Sequence, residues 1–297
     1  MIHFLKILAL ILVSNIITAQ DFNREFNNYL QKRDTAKLEE LLLKWEKKEP
    51  HNPELFTSYF NFYFLKSMKE VVTLTTSEPN GESFSIQDST GNTAGYLGSK
   101  VVFNQNFVQK GIDKINEGIK LYPDRLDMRF GKIHVYSELN DWDNFTTEII
   151  ATLQRSNQNN NSWTWTDDEP VSDAKDFLLS GIQDYQLKLY ETGNDNLLQN
   201  MRTIANEVLR YYPTHIESLS NLSITQLLTG EYDKGIETLL LAEKINPTDG
   251  IILSNIAHGY KLKGDIENAL KYYKKMTRLE DPEAVKFARQ QIEELNK

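Results

Sequence analysis

The chain has 297 residues, 40% of them hydrophobic, and a formal charge of −9 from 33 Lys and Arg against 42 Asp and Glu. An acidic chain without a Lys/Arg-rich block is a poor match for nucleic acid, whose phosphates demand clustered cations. With no cysteine there is no disulfide framework, no thiolate metal site and no lipidated-cysteine anchor.

Residues 1–19 combine His3 and Lys6 with an apolar run at 7–13 and a small residue, Ala19, ahead of Gln20. That pattern predicts a secretory signal peptide over 1–19, cleaved after Ala19, and export of residues 20–297 to the periplasm or the extracellular space. Ser14, Asn15 and Thr18 make the segment short and polar for a spanning helix of about 20 apolar residues. No later segment is apolar enough to span, so no membrane span is expected after signal removal.

Phe22, Phe26 and Tyr29, then Leu38, Leu42 and Trp45, recur at helical steps and predict a first, degenerate helix pair ending at Pro50. Residues 53–66 follow as a strongly apolar helix. Its partner begins only near Asn106, where Val108, Gly111, Ile115, Gly118 and Leu121 lead to Pro123. The intervening segment, 68–105, reads as a β-rich insertion inside the second pair. Residues 71–76 and 84–86 favour strands, the first turn falls at 78–81, and 101–103 suit a third strand. An isolated hairpin is marginal in water, so this flap is expected to pack on a neighbouring helix.

A third pair starts at Leu126, with Phe130, Ile133 and Tyr136 on one helix and Phe145, Ile149 and Leu153 on the next. Residues 155–172 form a second insertion rich in Asn and Trp, expected to be a solvated loop. A fourth pair spans about 173–213, with Gly193 at its turn. The clearest copies lie in 216–281. Leu222, Ser223, Gly230, Tyr232, Gly235, Leu239, Ala242 and Pro247 are matched 34 positions on by Ile256, Ala257, Gly264, Ile266, Ala269, Tyr273, Met276 and Asp281. Residues 282–296 complete the chain as a capping helix, with Val285, Phe287, Ile292 and Leu295 on its apolar side.

That period, with small residues at fixed slots and a Pro or Asp closing each unit, resembles the tetratricopeptide repeat. Pro50, Pro123, Pro213 and Pro247 are 73, 90 and 34 residues apart; the two longer gaps exceed whole 34-residue units by 39 and 22, matching the two insertions. The resemblance implies an all-α array over 20–297, a right-handed superhelix of about six helix pairs closed by a capping helix, with a small β-hairpin or three-stranded insertion. It also implies a concave groove that binds a protein or peptide, with an Asn of each first helix touching the ligand backbone. Asn221 and Asn255 occupy that slot, and Ile224, Leu227, His258 and Leu262 would complete the groove. Two backbone hydrogen bonds contribute only about 1–3 kcal/mol, far below the roughly 8 kcal/mol of a micromolar complex.

Other chemistry is sparse. Trp163 and Trp165, in a polar loop, read either as a stacking platform for a glycan or as aromatics folded back onto a helix. Asp167, Asp168 and Glu169 lack the Gly and distal Glu of a calcium loop, and the histidines show no HExxH spacing, so no metal or cofactor is expected. No nucleophile elbow, phosphate loop or dinucleotide fingerprint occurs. The leading reading is an exported, non-enzymatic scaffold for a protein or peptide. A carbohydrate-binding envelope protein using Trp163, Trp165 and the β insertion is the alternative, and an enzyme on a helical-repeat scaffold is the third.

Overall fold

The computed structural model describes residues 19–79 and 81–296; all but the last residue of the expected signal segment, together with Asn80 of the first flap turn, lies outside the described residues. Thirteen α-helices are found among the described residues, and they form six consecutive pairs followed by one closing helix. The pairs are α1 (Ala19–Gln31) with α2 (Thr35–Lys48), α3 (Pro53–Ser67) with α4 (Gln105–Leu121), and α5 (Leu126–Glu138) with α6 (Trp142–Gln158). Next come α7 (Ala174–Glu191) with α8 (Leu198–Tyr211), α9 (Ile216–Leu228) with α10 (Tyr232–Ile245), and α11 (Gly250–Lys263) with α12 (Ile266–Met276). Helix α13 (Pro282–Leu295) closes the chain. No described helix is long and apolar enough to cross a membrane. The chain divides into two compact units at Tyr122–Pro123, the first holding α1–α4 and the second α5–α13.

The turns inside the pairs share one device. Arg33, Asn140, Gly230 and Gly264 each take a left-handed conformation (φ 52°, 54°, 81° and 84°) one residue before an acid. Gly meets no steric penalty there, whereas a side chain costs roughly 1 kcal/mol or more. Three of the acids that follow cap the next helix: Asp34, Asp141 and Asp265 accept the backbone N–H of Lys37, Asn144 and Asn268 at 3.1–3.2 Å. Each such cap satisfies one orphan donor and adds about 1 kcal/mol. Within a pair, small residues set the approach. A Cβ on Gly235 would lie 2.7 Å from the Leu227 side chain, so α10 crosses α9 at a distance no larger residue permits.

In the first unit, Phe22, Phe26, Leu38, Leu42, Trp45, Leu55, Tyr59 and Phe62 form one core, with Phe22 stacked on Trp45 at 5.4 Å. Helix α3 runs directly into β1 (Met68–Thr75), and the chain returns through β2 (Ser83–Gln87) and β3 (Thr93–Phe103). The antiparallel order is β1-β3-β2, with a bulge at Ile86/Gln87. At the neck Met68 pairs with Phe103, and Asn104 N–H donates to Ser67 O at 2.8 Å. The inserted segment therefore leaves and re-enters at one point, and α3 pairs with α4 as if they were consecutive.

Two expectations for the flap change. Its third strand, expected over 101–103, runs over Thr93–Phe103 and is the centre of the sheet. Gly95 lies inside β3, where a Cβ would meet Thr75 O at 3.0 Å; the second turn is Asp88–Asn92, held by Asp88 Oδ1 accepting from Thr90 and Asn92 N–H. Nor does the flap lie down on a helix: its aromatic contact with one is Phe103 on Phe64 at 5.5 Å, and most of the sheet is exposed.

In the second unit the core runs from Leu126, Ile133, Phe145 and Ile149 through Leu178, Ile182 and Met201 to Val208, then through Leu239, Ile252 and Ile256 to Tyr273 and Met276. The second insertion is shorter and less solvated than expected. Helix α6 absorbs its start, and Thr164 then bridges both Arg125 and Pro170. Buried Arg125, paired with Asp127 of α5 at 2.7 Å, reaches the segment through Asp168 at 3.4 Å.

Candidate functional site

The first helices of the later pairs lie side by side and line a common face in the second unit. Side chains stitch them together: Asn221 Nδ2 on α9 donates to Gln183 Oε1 on α7 at 2.7 Å, Asn255 Nδ2 on α11 donates to Ser220 Oγ on α9 at 3.1 Å, and Lys261 Nζ on α11 donates to Gln291 Oε1 on α13 at 3.2 Å. Asn221 is 7% exposed, so its amide is committed to holding α9 on α7. Asn255 is half-buried and lines a cleft.

That cleft, about 560 Å³, lies between the start of α11 and α13. Ile251, Ala284 and Phe287 supply apolar surface, Ser254 and Asn255 supply polar atoms, and Asp249, Asp281 and Glu283 supply acid. Ile251 is 71% exposed and Phe287 43%, so both offer apolar surface to the cleft. Asp249 and Asp281 are also helix caps, each accepting two backbone N–H groups. Phe287, expected to cap the stack, instead lies half outside it. Ala288 is the buried residue of α13, while Phe287 meets Tyr273 edge-on at 6.3 Å.

A second cleft of about 560 Å³ lies between α7 and the start of α9, lined by Lys175, Gln183, Tyr211, Tyr212, His215 and Glu217. Burial pushes the His215 imidazole below its ordinary range, against the opposing pull of Glu217. Its Nδ1 meets Ser218 Oγ at 2.9 Å and its Nε2 meets Glu217 at 3.2 Å, so both ring nitrogens are already engaged.

The remaining groove residues separate. Ile224 is half-buried, and His258 and Leu262 are exposed. Leu227 is no groove residue: it is 5% exposed and fills the space left by Gly235 and Gly259, between α9, α10 and α11. The tryptophans fold back. Trp163 is 2% exposed and closed to a sugar ring, its Nε1–H donating to Ser156 Oγ at 3.1 Å and Arg129 lying 5.9 Å from its ring centre. Trp165 is half-buried, edge-on to Phe130 and Phe177 at 6.1 and 5.4 Å. Among the described residues no three His, Asp or Glu side chains converge on a point that suits a metal ion. Ile251 carries no sequence signal as a site residue because it sits in the first turn of α11, where the neighbouring α13 makes the opposite wall.

The face is held in place by Arg202 of α8, which donates to Thr225 O at 3.1 Å and Thr229 Oγ1 at 2.8 Å and pairs with Glu231 at 2.6 Å. The hydrogen bonds from Lys234 and then Arg202 hold the Glu231 carboxyl down at about 2, against an ordinary 4.5. A carboxylate with a depressed folded-state value stabilises above its unfolded value, and that contribution is lost as pH falls from about 4.5 towards 2. Glu231→Gln is therefore expected to lower the thermal midpoint at pH 7 and to converge on wild type near pH 2. Curves that stay parallel across that range would rule the linkage out.

The chain is thus a helical-repeat protein of consecutive helix pairs closed by α13. No protein-family model matches it, and no curated protein does either. Among solved structures it is similar to a thermophilic tetratricopeptide protein of Thermus thermophilus (14% identity, TM-score 0.39, covering 65% of this chain and 92% of that one). It is also similar to a tetratricopeptide repeat protein of Parabacteroides merdae (13% identity, TM-score 0.38, 93% and 86%). A third is PilW, described as a type IV pilus biogenesis factor (10% identity, TM-score 0.39, 91% and 97%).

Proposed function

We propose that this protein is an exported, non-enzymatic scaffold that holds a peptide segment of a protein partner on the first-helix face of its second unit. The observation that carries the reading is the α11–α13 cleft, where exposed Ile251 and Phe287 stand beside Ser254 and Asn255. Apolar anchors with a few convergent polar atoms supply the burial energy that two Asn hydrogen bonds lack. The acids at the rim and the charge of −9 favour a segment with one bulky apolar side chain flanked by basic residues.

Peptides selected from a random library against the protein test this. Ile251→Asp with Phe287→Asp is expected to weaken them by at least ~10-fold, about 1.4 kcal/mol, with Asn255→Ala adding a smaller loss and the circular dichroism unchanged. Asn221→Ala should instead lower the melting temperature, since its amide ties α9 to α7. Equal binding by the Asp pair would exclude this cleft.

Export is supported by the apolar run at 7–13 after Lys6 and by Ala19 ahead of Gln20. Mass spectrometry of the protein recovered from the producing cell should find Gln20 as its first residue. Recovery of an intact Met1 terminus from the cytosol would reject export.

A further inference from the structure

The flap has two unlike faces. Directly paired residues of antiparallel strands point to the same side, and the register pairs Leu74 with Leu97, Leu97 with Phe84, Glu70 with Val101 and Met68 with Phe103. One face therefore carries Met68, Val72, Leu74, Phe84, Ile86, Leu97 and Val101. All seven are open to solvent, from 37% exposed at Met68 to 74% at Val72 and 75% at Phe84. The opposite face mixes half-buried Val71, Tyr96 and Val102 with Lys69, Thr73 and Lys100, and is partly covered where Pro79 approaches Gly98.

This is an inside-out arrangement for a small sheet. A sheet of three short strands draws its stability from a covered apolar face, and here the better-covered face is the more polar one. Glu70 and Ser99 share this face, and the seven apolar side chains beside them expose roughly 700 Å² in all, at the upper end of the ~300–600 Å² of the largest patch on a typical monomer.

We propose that this face is a homodimer interface, on which the flap of a second copy packs face to face to complete a two-layer β-sandwich. Two such faces would bury roughly 1,400 Å² in total, inside the ~1,200–2,000 Å² of stable specific interfaces. The apolar side chains of both copies would then form a core about 10 Å thick. The central strand β3 places Leu97 near the middle of the face. Glu70 shares this face near the neck, where it accepts from Ser99 Oγ at 2.6 Å, so the neck end of the pairing is more polar than the end carrying Leu74, Phe84 and Leu97. A lipid surface fits less well. The flap's two cations, Lys69 and Lys100, lie on the opposite face, and the flap has four acids: Glu70, Glu78, Glu82 and Asp88. The inference is independent of the peptide reading, because the flap belongs to the first unit.

Light scattering coupled to size-exclusion chromatography tests it. The purified protein is expected to show twice the chain mass at about 100 µM and to dissociate on dilution. Leu74→Lys with Phe84→Lys should restore the chain mass without loss of helical circular dichroism. Replacing residues 68–103 by a short Gly linker should do the same, since Ser67 and Asn104 are already within hydrogen-bond distance. The chain has no native cysteine, so Leu97→Cys should form a disulfide-linked dimer under mild oxidation while Thr73→Cys, on the other face, should not. A wild-type protein of single chain mass at that concentration overturns the proposal. So do a Lys variant that stays dimeric, equal cross-linking at both positions, or a monomer that floats with phosphatidylcholine vesicles.

Discussion

Glu148→Ala is expected to destabilise the protein by about 3–5 kcal/mol, measured as a fall in the urea midpoint of the helical signal. Glu148 is 7% exposed and accepts from Arg129 Nη1 at 3.1 Å and from Lys132 Nζ at 2.6 Å. Arg129 is itself 8% exposed; burial pushes its guanidinium below the usual range, and Glu148 is the largest opposing influence. With the carboxylate gone, two cations one helical turn apart remain in a desolvated site. Arg129 would keep Pro123 O, at 3.4 Å, the Trp163 ring and the charge of Asp124, none of which replaces the lost hydrogen-bonded carboxylate. Glu148→Gln, which keeps the shape and one acceptor, should cost less. A triple change of Arg129, Lys132 and Glu148 to Met, Met and Leu should recover most of the loss, because apolar replacement of a whole buried ion group is often neutral or stabilising. An Ala variant within experimental error of wild type would show that water reaches this site.

The helix pairs are legible because each rests on short-range chemistry that repeats. The apolar step marks the helix, a small residue marks the close approach, and a Gly followed by an acid marks the turn, as at Gly230-Glu231 and Gly264-Asp265. The first pair uses the same turn with Arg33 in place of Gly, so only the apolar pattern locates it. Where the partner is distant, the reading weakens. Gly95 and Gly98 interrupt the β pattern of 93–103, and nothing local says that this stretch lies between two other strands. Alternation in 68–75 marks a strand with one apolar side, which predicts a covering helix; the structure leaves that side open. At the candidate site, Leu227 and Ile224 are separated by less than one helical turn, yet one is core and the other half-buried. Their difference is set by Gly235 and Gly259 on two other helices, which make room for Leu227 alone.

Trp163 shows the same limit at its largest, and Trp163→Ala is expected to cost about 3–5 kcal/mol. The polar run before it predicts a solvated loop, but its indole joins the buried core that also holds Leu126, Ile133, Leu153 and Leu178, which only the packed helices create. The polar atoms around it are arranged to keep it there. Ser156 Oγ accepts the indole N–H while donating to Asn161 Oδ1 at 2.7 Å, and Tyr212 OH donates to the same oxygen at 2.7 Å. Trp163→Phe, which keeps one aromatic ring but loses the second ring's volume and one neutral hydrogen bond, should cost less, about 2 kcal/mol. Because Arg129 touches both Trp163 and Glu148, the two alanine changes should not be additive, with a coupling of about 0.5–3 kcal/mol in a double-mutant cycle. Fluorescence gives a readout separate from stability: subtracting the spectrum of Trp163→Phe from wild type should leave a blue-shifted component that iodide does not quench. A quenchable, red-shifted component would mean that the ring is solvated and would reopen Trp163 as a surface for a planar ligand.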